Sequence, residues 1–126
     1  MQTQTPILQY NLRRIDAAGG VIAAGTDTSN GASLHRELEL LSQAGIPNLE
    51  IIKIATFNGA RLMGKQEHMG SIEYGKIADA VLLDADPTVD INNTKRIDLV
   101  MKAGDIIDES KLPLAGGPQR RRWPAR

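Results

Sequence analysis

Cysteine is absent from this chain of 126 residues. That excludes disulfides and thiolate metal sites, and it agrees with a cytoplasmic location. Aromatic residues are scarce at 3%, namely Trp123, Phe57, Tyr10 and Tyr74, so any core must be aliphatic. Net charge is lacking too. Fifteen acidic residues balance 15 basic ones, and no long-range field steers the chain to nucleic acid or anionic lipid. No apolar run approaches the roughly 18 residues of a membrane-spanning helix, and the N-terminus does not read as a signal peptide. What remains, 41% hydrophobic and 24% charged residues, is the composition of one globular domain rather than a disordered chain.

The most informative stretch is Gly20–Val21–Ile22–Ala23–Ala24–Gly25–Thr26–Asp27. It is continuously apolar, with β-branched Val21 and Ile22, and predicts a strand over 21–24 covered on both faces, as in a parallel α/β sheet. Asp27 falls at its carboxyl end, where open α/β sheets and (β/α) barrels place their chemistry. The same aspartate also reads as a cap for a turn or for the next helix.

The preceding segment predicts a helix near 6–18. Thr5–Pro6 starts it, Ile7, Leu8, Leu12 and Ile15 repeat at helical spacing, and Gly19–Gly20 ends it. After the polar loop Thr28–Ser29–Asn30–Gly31–Ala32, Ser33 reads as the N-cap of a second helix to about Ala44, with Leu34, Leu38, Leu40 and Leu41 as its apolar stripe. Pro47–Asn48 opens a third, whose core face is either Leu49, Ile52 and Ala55 or Ile51 and Ile54. Asn58–Gly59 reads as its break, with a short turn over Ala60–Met63. From residue 70 the texture becomes extended. A strand is centred on Ala80–Val81–Leu82–Leu83, a second covers Ile97–Lys102, and Ala103–Gly104–Asp105 turns into Ile106–Ile107. The end of the chain, with Gly116–Gly117–Pro118 and Arg120–Arg121–Arg122–Trp123, lacks periodicity and reads as a disordered, solvated tail rather than a nucleic-acid contact.

In order and spacing, these pieces resemble the C-terminal part of an amidohydrolase-superfamily metal-dependent hydrolase of the imidazolonepropionase-like and prolidase-like branch. The likeness covers about residues 10–108 and is carried by Ala24–Gly25–Thr26–Asp27, Ser33–Leu34–His35–Arg36–Glu37–Leu38–Glu39–Leu40–Leu41, Ala44–Gly45–Ile46 and Ala55–Thr56. It continues through Asn58–Gly59–Ala60–Arg61–Leu62–Met63–Gly64, Gly70–Ser71–Ile72, Gly75–Lys76–Ile77–Ala78–Asp79–Ala80–Val81–Leu82–Leu83–Asp84, Asp86–Pro87 and Val100–Met101–Lys102–Ala103–Gly104. The resemblance implies an α/β fold: the last strand and helices of a (β/α)8 barrel over residues 1–64, part of a small β-sandwich over 65–110, and a tail over 111–126. It implies that Asp27 is both a metal ligand and a catalytic group that helps take a proton from a metal-bound water, with a divalent ion, zinc first, as the cofactor. The implied substrate is a small molecule with an amide-type C–N bond.

The family's other ligands, a His-x-His pair, a carboxylated lysine or glutamate and two further histidines, have no counterpart here. His35, in the first turn of a helix, reads as a packing side chain, and His68, in the Gln66–Met69 loop, as a solvated one. A complete barrel needs about 250 residues. The chain is therefore expected to be inactive alone and to self-associate or dock on a missing barrel half through uncovered strand edges. The alternative is a non-catalytic docking module in which Asp27 is only a cap. Thr28, Ser29 and Asn30 are placed to line a pocket, and Asp84 and Asp86 to end a strand and cap its turn.

Overall fold

Ile51 and Ile54, at 0% and 1% exposure, are the most deeply buried large side chains of the computed structural model, which describes residues 5–28 and 30–108. Around them gather Leu38, Leu41, Ile46 and Ile91, with Leu12, Ile22, Ala24, Ile52 and Ala55 packed against this cluster. The core is aliphatic, as the shortage of aromatics required.

Helix α1 spans Thr5–Ala17, α2 Gly31–Gln43, α3 Asn48–Ala55 and α4 Phe57–Leu62. Of the four residues expected to face a core from α1, only Leu12 does, while Ile7, Leu8 and Ile15 stay exposed. In α2 the stripe narrows to Leu38 and Leu41, with Leu34 exposed and Leu40 partly buried. In α3 the core face is Ile51 and Ile54, and Leu49 faces solvent. Three helix ends share one closure. Gly19, Gly45 and Gly64 take positive φ of 75°, 87° and 66°, and the next amide in each case bonds back five residues, Gly20 to Ile15, Ile46 to Leu41 and Lys65 to Ala60. A side chain in that left-handed position would be strained, so glycine stops each helix there.

Two expected boundaries move. The α2 cap is Asn30 rather than Ser33: its Oδ1 accepts from the Ser33 amide and hydroxyl, both at 2.9 Å, so the helix begins at Gly31. The break after α3 falls at Thr56, with φ −126° and ψ −86°, and Asn58–Gly59 lie inside α4.

The strand expected over 21–24 is not formed. A strand exists by virtue of its neighbours, and the described residues offer this segment none. It runs as an extended connection held by two bonds, the Ala24 amide to the Ile54 carbonyl at 3.2 Å and the Asn58 side-chain amide to the Ile22 carbonyl at 2.7 Å. Ile22, Ala23 and Ala24 are half-buried and Val21 is exposed, so the segment is covered on one side, not two.

The strand-rich half matches expectation more closely. β1 (Ala80–Leu83), β2 (Ile97–Lys102) and β3 (Asp105–Ile106) form an antiparallel sheet in the order β1–β2–β3. β1 pairs with β2 from Ala80 opposite Met101, with a register shift between Leu82 and Leu83. β2 and β3 are joined by the two residues Ala103 and Gly104, at φ 52° and 91°, the primed turn whose twist suits a tight hairpin. A short 3-10 helix, η1 (Ile91–Lys95), precedes β2 and inserts buried Ile91 into the helical core. Among the described residues no helix is long and apolar enough to cross a membrane. Residues 1–4, Ser29 and the tail expected over 111–126 lie outside the described residues.

Candidate functional site

Asp27 stands at the end of the extended segment, exposed, between two anchored points. Upstream, the bonds from Asn58 and to Ile54 fix Ile22 and Ala24 on α3 and α4. Downstream, Asn30 caps α2, and between them the Thr26 hydroxyl donates to the Thr28 carbonyl at 2.8 Å. The carboxylate therefore stands between residues tied on either side of it. Asn30, expected to line a pocket, spends its side-chain oxygen on the cap instead.

The residue that reasoning from sequence overlooked is Asn58. It is only 5% exposed, and its side-chain amide supports the segment leading to Asp27. The signal was one of spacing: Ile51, Ile54 and Asn58 fall at i, i+3 and i+7, the period of a helical face although the chain breaks at Thr56 between them, and a buried polar residue needs a partner. The adjacent Gly59 drew the reading to a helix break.

His35 lies part-buried on α2, with Nδ1 3.1 Å from the Thr94 hydroxyl of η1. Burial, then the nearby Lys95, hold its pKa below the ordinary histidine range, with Glu39 pulling weakly the other way. It therefore packs against the strand-rich half. His68 is exposed, and its main chain rather than its ring is engaged, donating to Lys65 O at 2.9 Å and accepting from Ile77 N at 2.8 Å. Asp86 caps its turn as expected, accepting from the Thr88 amide at 2.8 Å and hydroxyl at 2.6 Å. These bonds, the hydroxyl's foremost, lower its pKa.

Glu39 is bonded across the α2–η1 seam by Lys95 and within α2 by Arg36, and these bonds, that of Lys95 foremost, lower its pKa. Lys76 is nearly buried between Glu73, at 3.0 Å, the Ser71 hydroxyl and the ring of Phe57. A cavity of about 290 Å³ opens at the Val21 end of the segment, with Asp16, Lys53 and Arg61 in its wall. Asp27 lines neither this cavity nor one of about 220 Å³ beside Glu39 and Asp90.

A metal requires converging donors, and a zinc site takes three protein ligands with a fourth position for water. Among the described residues no three His, Cys, Asp or Glu side chains come together in that way. Asp27 offers one carboxylate, so the described residues do not fit a metal by themselves.

The amidohydrolase family model matches residues 9–107. An imidazolonepropionase of Shouchella clausii is 36% identical over 112 residues, covering 82% of this chain and 25% of that protein. A 5-methylthioadenosine/S-adenosylhomocysteine deaminase of Moorella thermoacetica is 32% identical over 83 residues, 54% of this chain and 19% of the relative. Among solved structures, a Xaa-Pro dipeptidase with methionine bound in its active site aligns with a TM-score of 0.74 at 30% identity, covering 82% of this chain and 26% of that one. The chain thus spans about a quarter of the length of this imidazolonepropionase and of this dipeptidase.

Proposed function

The chain belongs to the amidohydrolase family, and from that premise we propose that it is the C-terminal portion of a metal-dependent hydrolase that cleaves carbon–nitrogen bonds of small amide-type substrates. The observation that carries this reading is Asp27 itself: an exposed carboxylate on a short loop tied down at Ile22, Ala24 and Asn30. A carboxylate so held is suited to binding a cation or accepting a proton at a fixed point. Likeness to an imidazolonepropionase, a deaminase and a dipeptidase supports the reaction class. With a single donor at this loop, the described part of the chain supplies one member of a metal site, not the site. Turnover requires groups from outside it.

A chimera tests this. Residues 9–107 replace the matching C-terminal quarter of the Shouchella clausii imidazolonepropionase. The expected outcome is chelator-sensitive hydrolysis that falls by about a thousandfold in Asp27→Asn, the scale of removing one group that acts in the transition state, while the purified chain alone turns nothing over. A folded chimera whose activity ignores Asp27→Asn would sink the assignment. Robust chelator-sensitive turnover by the isolated chain, lost in Asp27→Ala, would sink its inactivity.

A second reading, a self-associating or partner-docking module, is favoured by the sheet. Val81 and Leu82 are consecutive strand residues on opposite faces, yet they are 54% and 53% exposed. Neither face of the sheet is fully covered there.

A further inference from the structure

His35 and Thr94 are 59 positions apart in sequence and meet across the seam between α2 and η1. The Thr94 hydroxyl lies 3.1 Å from His35 Nδ1 and also 2.8 Å from the Ile91 carbonyl oxygen. A carbonyl only accepts, and a threonine hydroxyl has a single proton. That proton belongs to the bond with Ile91, so Oγ1 turns lone pairs toward the imidazole. The hydrogen of the Nδ1–Oγ1 contact must then come from Nδ1. With the proton on Nε2, one of the two contacts would set lone pair against lone pair in a part-buried place, where an unmade hydrogen bond is costly. The charged groups about the ring are Lys95 from η1 and Glu39 from α2, and these are bonded to each other. Beneath the seam, Ile91 sits in the core with Leu38 and Leu41.

We propose that His35 is a positioning residue locked in its Nδ1–H tautomer, which fastens the first turns of α2 to the strand-rich half and thereby sets where the Asp27 loop sits. The lock stands on the hydrogen-bond chemistry alone, and only its bearing on Asp27 rests on the hydrolase reading. Along the sequence the link is short. Asp27 is followed three residues later by Asn30, which caps α2, and His35 lies within the next turn and a half. Nε2 is left without a proton.

The test is the two-bond nitrogen–proton correlation spectrum of the ¹⁵N-labelled full chain near neutral pH, which reports the imidazole tautomer directly. The expected spectrum has a pyrrole-type Nδ1 and a pyridine-type Nε2 for His35. An Nε2–H tautomer, or an averaged pair of shifts, overturns the proposal. Thr94→Val is expected to shift His35 toward mixed tautomers and to lower hydrogen-exchange protection along α2 by about tenfold, the size of one part-buried hydrogen bond. Thr94→Ser restores both. His35→Asn, whose amide keeps a donor near the Nδ1 position, retains the protection that His35→Ala loses. A folded Thr94→Val protein with an unchanged imidazole spectrum also overturns the lock. If that variant does not fold, the wild-type and Thr94→Ser spectra decide. Loss of the Asp27 effect in the chimera leaves the imidazole spectrum untouched, so the two readings fail separately.

Discussion

Replacing Asn58 by alanine removes the donor that the Ile22 carbonyl receives at 2.7 Å. No side chain other than that of Asn58, itself 5% exposed, bonds that carbonyl among the described residues. The expected cost is about 1–3 kcal/mol, read as a lower urea midpoint with an unchanged slope. Asn58→Asp should be worse than Asn58→Ala, because a carboxylate offers the carbonyl no proton and adds a buried charge. Equal stability of Asn58→Ala and wild type would show that the Ala24–Ile54 bond alone holds the segment. At this scale the place of Asp27, exposed at the end of an extended apolar run, was legible, since that is a local pattern. Asn58 was legible at most as a polar residue in step with Ile51 and Ile54, and what it bonds was not, because its partner lies 36 positions away.

Between elements, the seam of α2 and η1 gives the protein a direction of pH dependence. The folded pKa of His35 is lowered by burial and by Lys95, so the folded state prefers the neutral ring. That contribution is complete above the ordinary histidine range. As pH falls through it, the unfolded chain takes up the proton first, and the contribution is lost until the folded pKa is reached. Glu39, lowered chiefly by its bond from Lys95, and Asp79, lowered chiefly by its bond from Lys102, act in the same direction at more acid pH. Their stability is present above the ordinary carboxylate range and lost as pH falls through their depressed values. Urea midpoints from pH 8 to pH 4 are expected to decline in two stages, and His35→Asn should remove the first stage while leaving the second. A first stage that survives His35→Asn would assign it elsewhere. Most element types were legible from local pattern: the first three helices from apolar spacing, the hairpin from Ala103–Gly104, and the ends at Gly19, Gly45 and Gly64 from glycine, whereas α4 and the unpaired segment over 21–24 were not.

For the whole molecule, the decisive feature is how much apolar surface stays uncovered. Ile72 and Tyr74 are essentially fully exposed, and Ile7, Leu8, Leu62, Val89 and Ile106 are largely so. Together with the half-exposed Val81 and Leu82, they favour association. Light scattering is expected to show a mass that rises with concentration, and Val81→Lys with Leu82→Glu to suppress the rise without unfolding the helical core. A wild-type monomer stable across dilution would remove this reading.

By itself the sequence determined the aliphatic core, the first three helices, the strands of the sheet and the order of motifs that marks the family, because each of these is written in local spacing. Tertiary structure alone decided the rest. The segment over 21–24 is extended but unpaired, because strand formation depends on neighbours the described residues do not provide. Asn58 supports that segment, and His35 meets Thr94, because folding brings together residues 36 and 59 positions apart. Those pairings depend on where helices cross, which no local pattern records.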